Sequence, residues 1–275
     1  MNKKNWTGER LETHIFNENM AEHLHRYAIA QKLVYNKNVL DIACGEGYGS
    51  NLLAKNALNV IGVDIDKETV QAATNKYKTS NLSFRFGKAD EIPLDDNSVD
   101  VVVSFETIEH HTKHDEMLKE IKRVLRMDGI LVISSPDKKH YTDETGYINE
   151  FHVKELYQDE FQNLIHKYFS KCSAYNQRFI SGSFIESVNL NGKQNFFTGD
   201  YLNIISVPFT PVYNLIIASD TDVPPISSTF FLATDRSEQI RKEAFQSYQN
   251  TITWKTGRFF LYPFSMLKRL FKREA

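Results

Sequence analysis

Apolar and polar positions change period repeatedly along the first half of the chain. Glu18–Val34 carries apolar residues at helical spacing and predicts a helix. Asn38–Ala43 is short, apolar and β-branched, which predicts a buried strand. The alternation continues with a helix to about Ala57, a strand at Asn59–Asp64 and a helix at Lys67–Lys78 with Asp66 as its N-cap. Strands follow at Leu82–Phe86 and Val99–Ser104. A helix at Glu116–Arg126 is broken by Asp128-Gly129, and a fifth strand at Ile130–Ser134 is stopped by Pro136. Such alternation implies right-handed crossovers and a parallel sheet with helices on both faces. Ligands of these sheets bind outside the carboxyl ends of the strands. The unusual residues gather at those ends: Asp41–Gly49, Asp64, Lys88–Asp90 and Ser104–His110.

The second half is less regular. Val153–Tyr168 has helical spacing, and Cys172–Phe179 and Val212–Ser219 have strand-like patterns. Between them, 181–209 is rich in Ser, Asn, Gly and Phe and too long for a plain hairpin loop, which makes it a candidate lid. Asp220–Ser228, with Pro224-Pro225, forms a turn or linker, and Arg236–Gln249 is expected to be a polar helix. The expected organisation is one α/β domain over 1–235 followed by a helical tail over 236–275.

The loop after the first strand is Cys44-Gly45-Glu46-Gly47-Tyr48-Gly49. Glycine is needed where backbone turns to positive φ or approaches a ligand closely. A loop that opens a helix presents free N–H groups to carboxylate or phosphate oxygens. Asp64, ending the second strand, can accept hydrogen bonds from both hydroxyls of a ribose. A dinucleotide site prefers Gly-x-Gly-x-x-Gly/Ala, whereas here the glycines fall at 45, 47 and 49 and position 50 is Ser50. Asp41 lies inside the first strand, where an anion does not help a pyrophosphate but can pair with the ammonium of an amino-acid cofactor. The pattern favours S-adenosylmethionine (SAM) over NAD.

These segments resemble the class I SAM-dependent methyltransferases of the type 11 group. Val39–Gly47 is similar to their first motif, Val60–Ile65 to their second, Gly87–Leu94 to their adenine-binding turn and Asp100–Glu106 to their fourth strand and its end. The resemblance covers roughly residues 20–180. It implies a Rossmann-like, seven-stranded, mostly parallel sheet with helices on both faces, whose final antiparallel strand is Val212–Ser219. The 181–209 lid then lies between the sixth and seventh strands. The resemblance also implies roles by position. Gly45 and Gly47 pass under the cofactor, Asp64 holds the ribose, and Ala89 and Asp90 frame the adenine. Helices before the first strand often close over the cofactor in this family, where Arg26 is placed to bind its carboxylate bidentately. The expected cofactor set is Arg26, Asp41, Ala43, Gly45, Gly47, Asp64, Ile65, Ala89, Asp90 and Ser104. Lys88 departs from the family pattern. An ammonium has no acceptor for the adenine amino group, so either Asp90 makes that contact or Lys88 turns outward.

Methyl transfer from a sulfonium is an in-line displacement that requires alignment of the acceptor and, for a hydroxyl, removal of a proton. Candidates cluster in Ser104–His111, with His110 as the first choice for the base, assisted by Glu109. Glu106-x-x-Glu109-His110 further resembles the metal-binding stretch of small-RNA 2′-O-methyltransferases and coenzyme Q O-methyltransferases. With His152 it gives a candidate set for a divalent ion, Mg²⁺ or Mn²⁺. Gly8-Glu9-Arg10, His25-Arg26-Tyr27 and Asn149-Glu150-Phe151-His152 resemble methyltransferases of bacterial surface-glycan pathways. That resemblance implies O-methylation of a sugar of a surface polysaccharide or its precursor. A quinone-like small metabolite is the alternative acceptor, and a non-catalytic SAM-binding protein is the alternative of another class.

Bulk properties narrow the partners. A net charge of −2, with 41% hydrophobic and 25% charged residues, gives a packed core no global pull toward nucleic acid, and the first domain has no concentrated Lys/Arg face. Two cysteines, Cys44 and Cys172, make no disulfide framework, as expected of a cytoplasmic protein. No stretch has the roughly 18 apolar residues of a membrane span. The segment 255–273 mixes Phe, Leu, Tyr and Met with six Lys or Arg residues, the composition of a helix that lies peripherally on a membrane.

Overall fold

A computed structural model describes residues 17–182, 195–233 and 245–249, together with residues 11, 13, 251, 254 and 256. All of the expected amphipathic segment 255–273 but residue 256, most of the 236–249 helix and part of the 181–209 lid lie outside the described residues. The chain divides into two units, Met1–Thr229 and Phe230–Ala275. In the second, residues 245–249 are helical, and the Phe245 and Tyr248 rings pack on Trp254. No helix among the described residues is long and apolar enough to cross a membrane.

The first unit is built on a seven-stranded sheet. Its strands are β1 (Asn38–Ile42), β2 (Asn59–Asp64), β3 (Leu82–Phe86), β4 (Val99–Phe105), β5 (Leu125–Pro136), β6 (Lys171–Gln177) and β9 (Tyr213–Ser219), in the order β3-β2-β1-β4-β5-β9-β6. The first five run parallel, and β9 inserts antiparallel between β5 and β6. This is the Rossmann-like arrangement expected, with the antiparallel strand one residue shorter than the sequence pattern.

Side chains that alternate along the central strands are buried on both faces, as a sheet covered by helices on both sides requires. On one face Leu40, Val102, Leu131, Ile133 and Ile216 pack against α4 (His114–Val124) and α5 (Gln158–His166). On the other, Val39, Val101, Val103, Val132 and Ile217 pack against α1 (Glu18–Leu33) and α2 (Tyr48–Leu53). Asp66 caps α3 (Lys67–Lys76) through the Glu68 N–H, 3.0 Å away, as its sequence position predicts.

Three boundaries differ from expectation for identifiable reasons. The helix expected over Glu116–Arg126 spans His114–Val124, and β5 begins at once. Its register against β4 jumps from Val99↔Leu125 to Val101↔Ile130, so Asp128-Gly129 belongs to a bulge within the strand. The helix expected from Val153 starts only at Gln158. Val153 and Lys154 give their N–H groups to the Glu109 carbonyl at 2.8 and 3.0 Å, and Leu156 pairs with Asp137, which commits this backbone to the loop after β4. Within 181–209 the described part is a hairpin of β7 (Phe196–Gly199) and β8 (Ile204–Val207).

Candidate functional site

β1 runs into a turn in which Ala43, Gly45 and Gly47 have φ of 58°, 52° and 77°. Nothing lies within 4 Å of where a Cβ on Gly45 would be, so this glycine leaves the backbone open to a ligand. Gly49 serves another purpose. A Cβ there would stand 1.9 Å from Cζ of Tyr27, so its bare backbone lets α2 close on α1.

Asp64 is positioned by two backbone donors. The Gly45 N–H reaches Oδ2 at 2.9 Å and the Asp66 N–H reaches Oδ1 at 2.9 Å. A carboxylate has about four acceptor sites, the capacity that hydrogen bonds from the two hydroxyls of a ribose call on. Ala43, Ile65 and Phe86 are exposed beside it, and Ala89 is half-buried against the core. Lys113 holds Asp90 through a hydrogen bond and keeps its carboxyl below the usual range. The Lys88 side chain is exposed, and its backbone bridges to Glu91. Ser104, one residue before the end of β4, has its hydroxyl buried and without a hydrogen-bond partner.

Asp41 is 1% exposed. It accepts hydrogen bonds from Ser50 Oγ at 2.6 Å and Tyr27 OH at 3.3 Å, fastening α2 and α1 to β1. Burial pushes its carboxyl up to about 7, against the pull of these two bonds. Ser50 as the partner of Asp41 was not evident in the sequence. The nine-residue spacing, one strand end to the next helical turn, is the signal that marks it.

Across the crevice, Arg26 is 1% exposed and lies over the Tyr213 and Phe105 rings, 4.9 and 5.9 Å from their centroids. Its Nη1 donates to Gln177 Oε1 at 2.7 Å and is 3.8 Å from Glu106. Its Nε and Nη2 have no hydrogen-bond partner. Two buried, adjacent guanidinium donors suit a carboxylate. Glu106 adopts φ 51° and accepts from Ser134 Oγ at 2.6 Å. The candidate metal set therefore separates: Glu106 faces Ser134 and Arg26, while Glu109, His110 and His152 come together.

Those three residues each offer a ligand atom, all within 4.8 Å of one another. Glu109 lies on a short 3-10 turn, Ile108–His110, with both carboxylate oxygens buried and unpartnered. Burial, then the Glu106 carboxylate, push its carboxyl well above the ordinary range, and Arg26 opposes them. His110 Nδ1 is 3.0 Å from the Phe151 carbonyl, which only accepts, so Nδ1 is the protonated nitrogen of the neutral ring. His152 Nδ1 is 2.5 Å from Glu155, and the same logic leaves its Nε2 as acceptor, now for Asn149 Nδ2 at 3.0 Å. Glu155 and Asn149 orient His152 from the irregular segment after β5, where no periodic signal marked them, and Gln177 orients Arg26 from the end of β6. His111 and His114 pair with each other apart from this group.

A family model described as "Methyltransferase domain" matches residues 40–133. A probable S-adenosylmethionine-dependent methyltransferase of Mycolicibacterium smegmatis is 36% identical over 163 residues, 58% of this chain and 62% of the relative. A fatty-acid O-methyltransferase of the same organism is 30% identical, over 40% of this chain and 43% of its own. A ubiquinone biosynthesis O-methyltransferase of Pelagibacter ubique is 29% identical, over 40% of this chain and 46% of its own. The chain thus spans less than two thirds of the length of these relatives. The crystal structure of the YcgJ protein of Bacillus subtilis shares the fold at a TM-score of 0.52 and 17% identity, covering 71% of this chain and 97% of that one. Residues 40–133 are therefore similar to a methyltransferase domain, and they lie in a sheet of the Rossmann-like methyltransferase fold.

Proposed function

We propose that this chain is a SAM-dependent O-methyltransferase whose acceptor is a hydroxyl of a sugar in a bacterial surface polysaccharide or its precursor. One observation carries the reading: the open Gly45 turn and the oriented Asp64 share the strand ends with a Glu109–His110–His152 group, buried at Glu109, and an unpaired Arg26 edge. The residues fit the cofactor by their chemistry. Asp64 suits the ribose, the empty Nε–Nη2 edge of Arg26 suits the methionine carboxylate, and the excess of carboxylates over Arg26 suits a cationic ligand. When bound, SAM supplies an electrophilic methyl group on a sulfonium. His110, with Nδ1–H held on the Phe151 carbonyl, offers Nε2 to accept the hydroxyl proton. Glu109 stands 3.9 Å from that nitrogen and, once ionised, pairs with the imidazolium that forms. Arg26 and Gln177 tie the first helix to the sixth strand and fix the carboxylate end of the crevice.

Glu109, His110 and His152 also fit a divalent ion of the Mg²⁺ or Mn²⁺ class, because two orphaned carboxylate oxygens stand beside two imidazoles of fixed tautomer. They would hold it after Asn149 gives up its bond to His152, and the ion would lower the pKa of an acceptor hydroxyl. A small quinone-like phenol is the second reading, favoured by the Tyr141 ring stacked on His152.

Calorimetric titration with S-adenosylhomocysteine and with NAD tests the cofactor: no heat with the former sinks the reading. A methyl-transfer screen over nucleotide sugars, glycans and phenols, with EDTA and with added Mn²⁺, tests acceptor and metal together. Activity unchanged by EDTA removes the metal.

A further inference from the structure

The segment between Asp137 and Glu155 carries an exposed aromatic surface at the mouth of the site. Tyr141 stacks on His152 at 5.3 Å and 28°, and Tyr147 meets Tyr141 edge-on at 5.8 Å. Tyr147 is 57% exposed and its neighbour Ile148 81%. Tyr147 is anchored rather than loose, because its N–H donates to Thr145 Oγ1 at 3.1 Å and the Gly146 N–H donates to the Thr142 carbonyl at 2.8 Å. The surface is thus one ring removed from the catalytic candidates.

Charge decides what such a surface accepts. Carboxylates outnumber lysines five to three over 137–155. Lys138 lies over the Tyr157 ring, while Lys139 and Lys154 are exposed. Further in, Glu106 lies 3.8 Å from Arg26 and accepts from Ser134, and Glu109 lies 3.9 Å from His110 with Arg26 as an opposing positive charge. Asp143, Glu144 and Glu150 are exposed beside the two apolar side chains and break any long apolar groove. A phosphate or a fatty carboxylate would meet repulsion here, and an acyl chain would meet a polar rim. An uncharged ring can lay its apolar face on Tyr147 while its hydroxyls reach the rim and the imidazoles.

We propose that Tyr147 and Ile148 form an acceptor subsite for an uncharged ring bearing adjacent hydroxyls, a glycoside or a catechol, which it presents to His110 and His152. This rests on the methyltransferase reading and goes beyond it by excluding anionic and acyl acceptors. The test uses the full chain saturated with S-adenosylhomocysteine. Saturation-transfer NMR titrations compare methyl α-D-mannopyranoside, catechol, glucose 1-phosphate and decanoate. At least one uncharged ring should bind more tightly than both anions. Tyr147→Ala should weaken it by roughly three- to tenfold, while Tyr147→Trp retains it and the affinity for S-adenosylhomocysteine stays unchanged in both. Tighter binding of glucose 1-phosphate or decanoate, equal ring affinity in Tyr147→Ala, or no ring binding by a chain that binds S-adenosylhomocysteine would overturn the subsite alone. Absence of S-adenosylhomocysteine binding would overturn the parent reading. Which ring binds tells sugar from phenol.

Discussion

Substituting Gly49 by alanine sets two opposing effects against each other. Gly49 is the second residue of α2, and alanine in a helix interior is favoured over glycine by about 1 kcal/mol. Against this, the new Cβ would lie 1.9 Å from Tyr27 Cζ and 2.2 Å from its hydroxyl oxygen. Restoring ordinary contact needs a retreat of roughly 1.6 Å. Tyr27 has little room, since its ring packs edge-on against Phe105 at 5.0 Å and Tyr48 at 5.7 Å. Overpacking of this kind costs about 1–3 kcal/mol. Moving the hydroxyl away from Asp41 forfeits a hydrogen bond to a buried carboxyl, another roughly 1–3 kcal/mol. The clash wins, and Gly49→Ala should destabilise the protein by about 3 kcal/mol, with a fall in Tm on the order of 6–12 °C. Urea unfolding followed by circular dichroism gives the number, provided the m value is unchanged. The cause is tested by Tyr27→Leu, which removes the clashing atoms. The double variant should be more stable than the sum of the two single effects by at least about 1 kcal/mol. A neutral or stabilising Gly49→Ala, or strict additivity, would refute the packing explanation.

Three further outcomes are expected. Asp64→Ala should weaken S-adenosylhomocysteine binding by roughly ten- to a hundredfold in calorimetry, the loss typical of hydrogen bonds to a charged group. Arg26→Lys keeps the charge but loses the two-pronged edge, so the same titration should show at least roughly tenfold weaker binding, whereas an unchanged affinity would place the carboxylate elsewhere. For Asp41, whose carboxyl is raised to about 7 in the folded state, folding takes up a proton between the ordinary carboxylate range and neutrality. Its contribution to stability is therefore present at low pH and declines as pH rises through about 7, by up to about 1.4 kcal/mol per pH unit. The stability of wild type relative to Asp41→Asn should fall over pH 4–7 in urea titrations, and a flat difference would contradict the burial argument.

The parallel core was legible because β1, β2 and β4 are largely buried on both faces and are therefore mostly apolar, a pattern that local sequence carries. Asp64 and the glycine turn were legible for a related reason, since strand ends fix where a ligand can lie. The start of α5 was not. Val153–Tyr157 has helical spacing, yet its amides go to the Glu109 carbonyl, a partner more than 40 residues away. Gly49 shows the same limit. The spacing of the glycines suggested cofactor binding, while the atoms that require Gly49 belong to Tyr27 on another helix. Glu106 carries the residue type of a metal ligand, but its positive φ and the Ser134 hydroxyl turn it toward Arg26. Pairings of this kind are set by tertiary distance, which residue pattern does not encode.

The place of β9 has a consequence for how the protein is made. All seven of its residues are buried and it pairs on both sides, yet it is translated after both of its neighbours. Until Ser219 has emerged, β5 and β6 present two open edges to the rest of the nascent chain and to other molecules. At ordinary synthesis rates the interval between Gln177 and Ser219 lasts on the order of seconds, during which those edges stay exposed. The described residues between β6 and β9 take no part in the seven-stranded sheet. Because closing a longer loop costs only slowly more, the stretch from Arg178 to Val212 can lengthen or change composition while its two anchoring strands stay fixed. Variation in acceptor choice among relatives should therefore accumulate there, with the zipped sheet beneath it left intact.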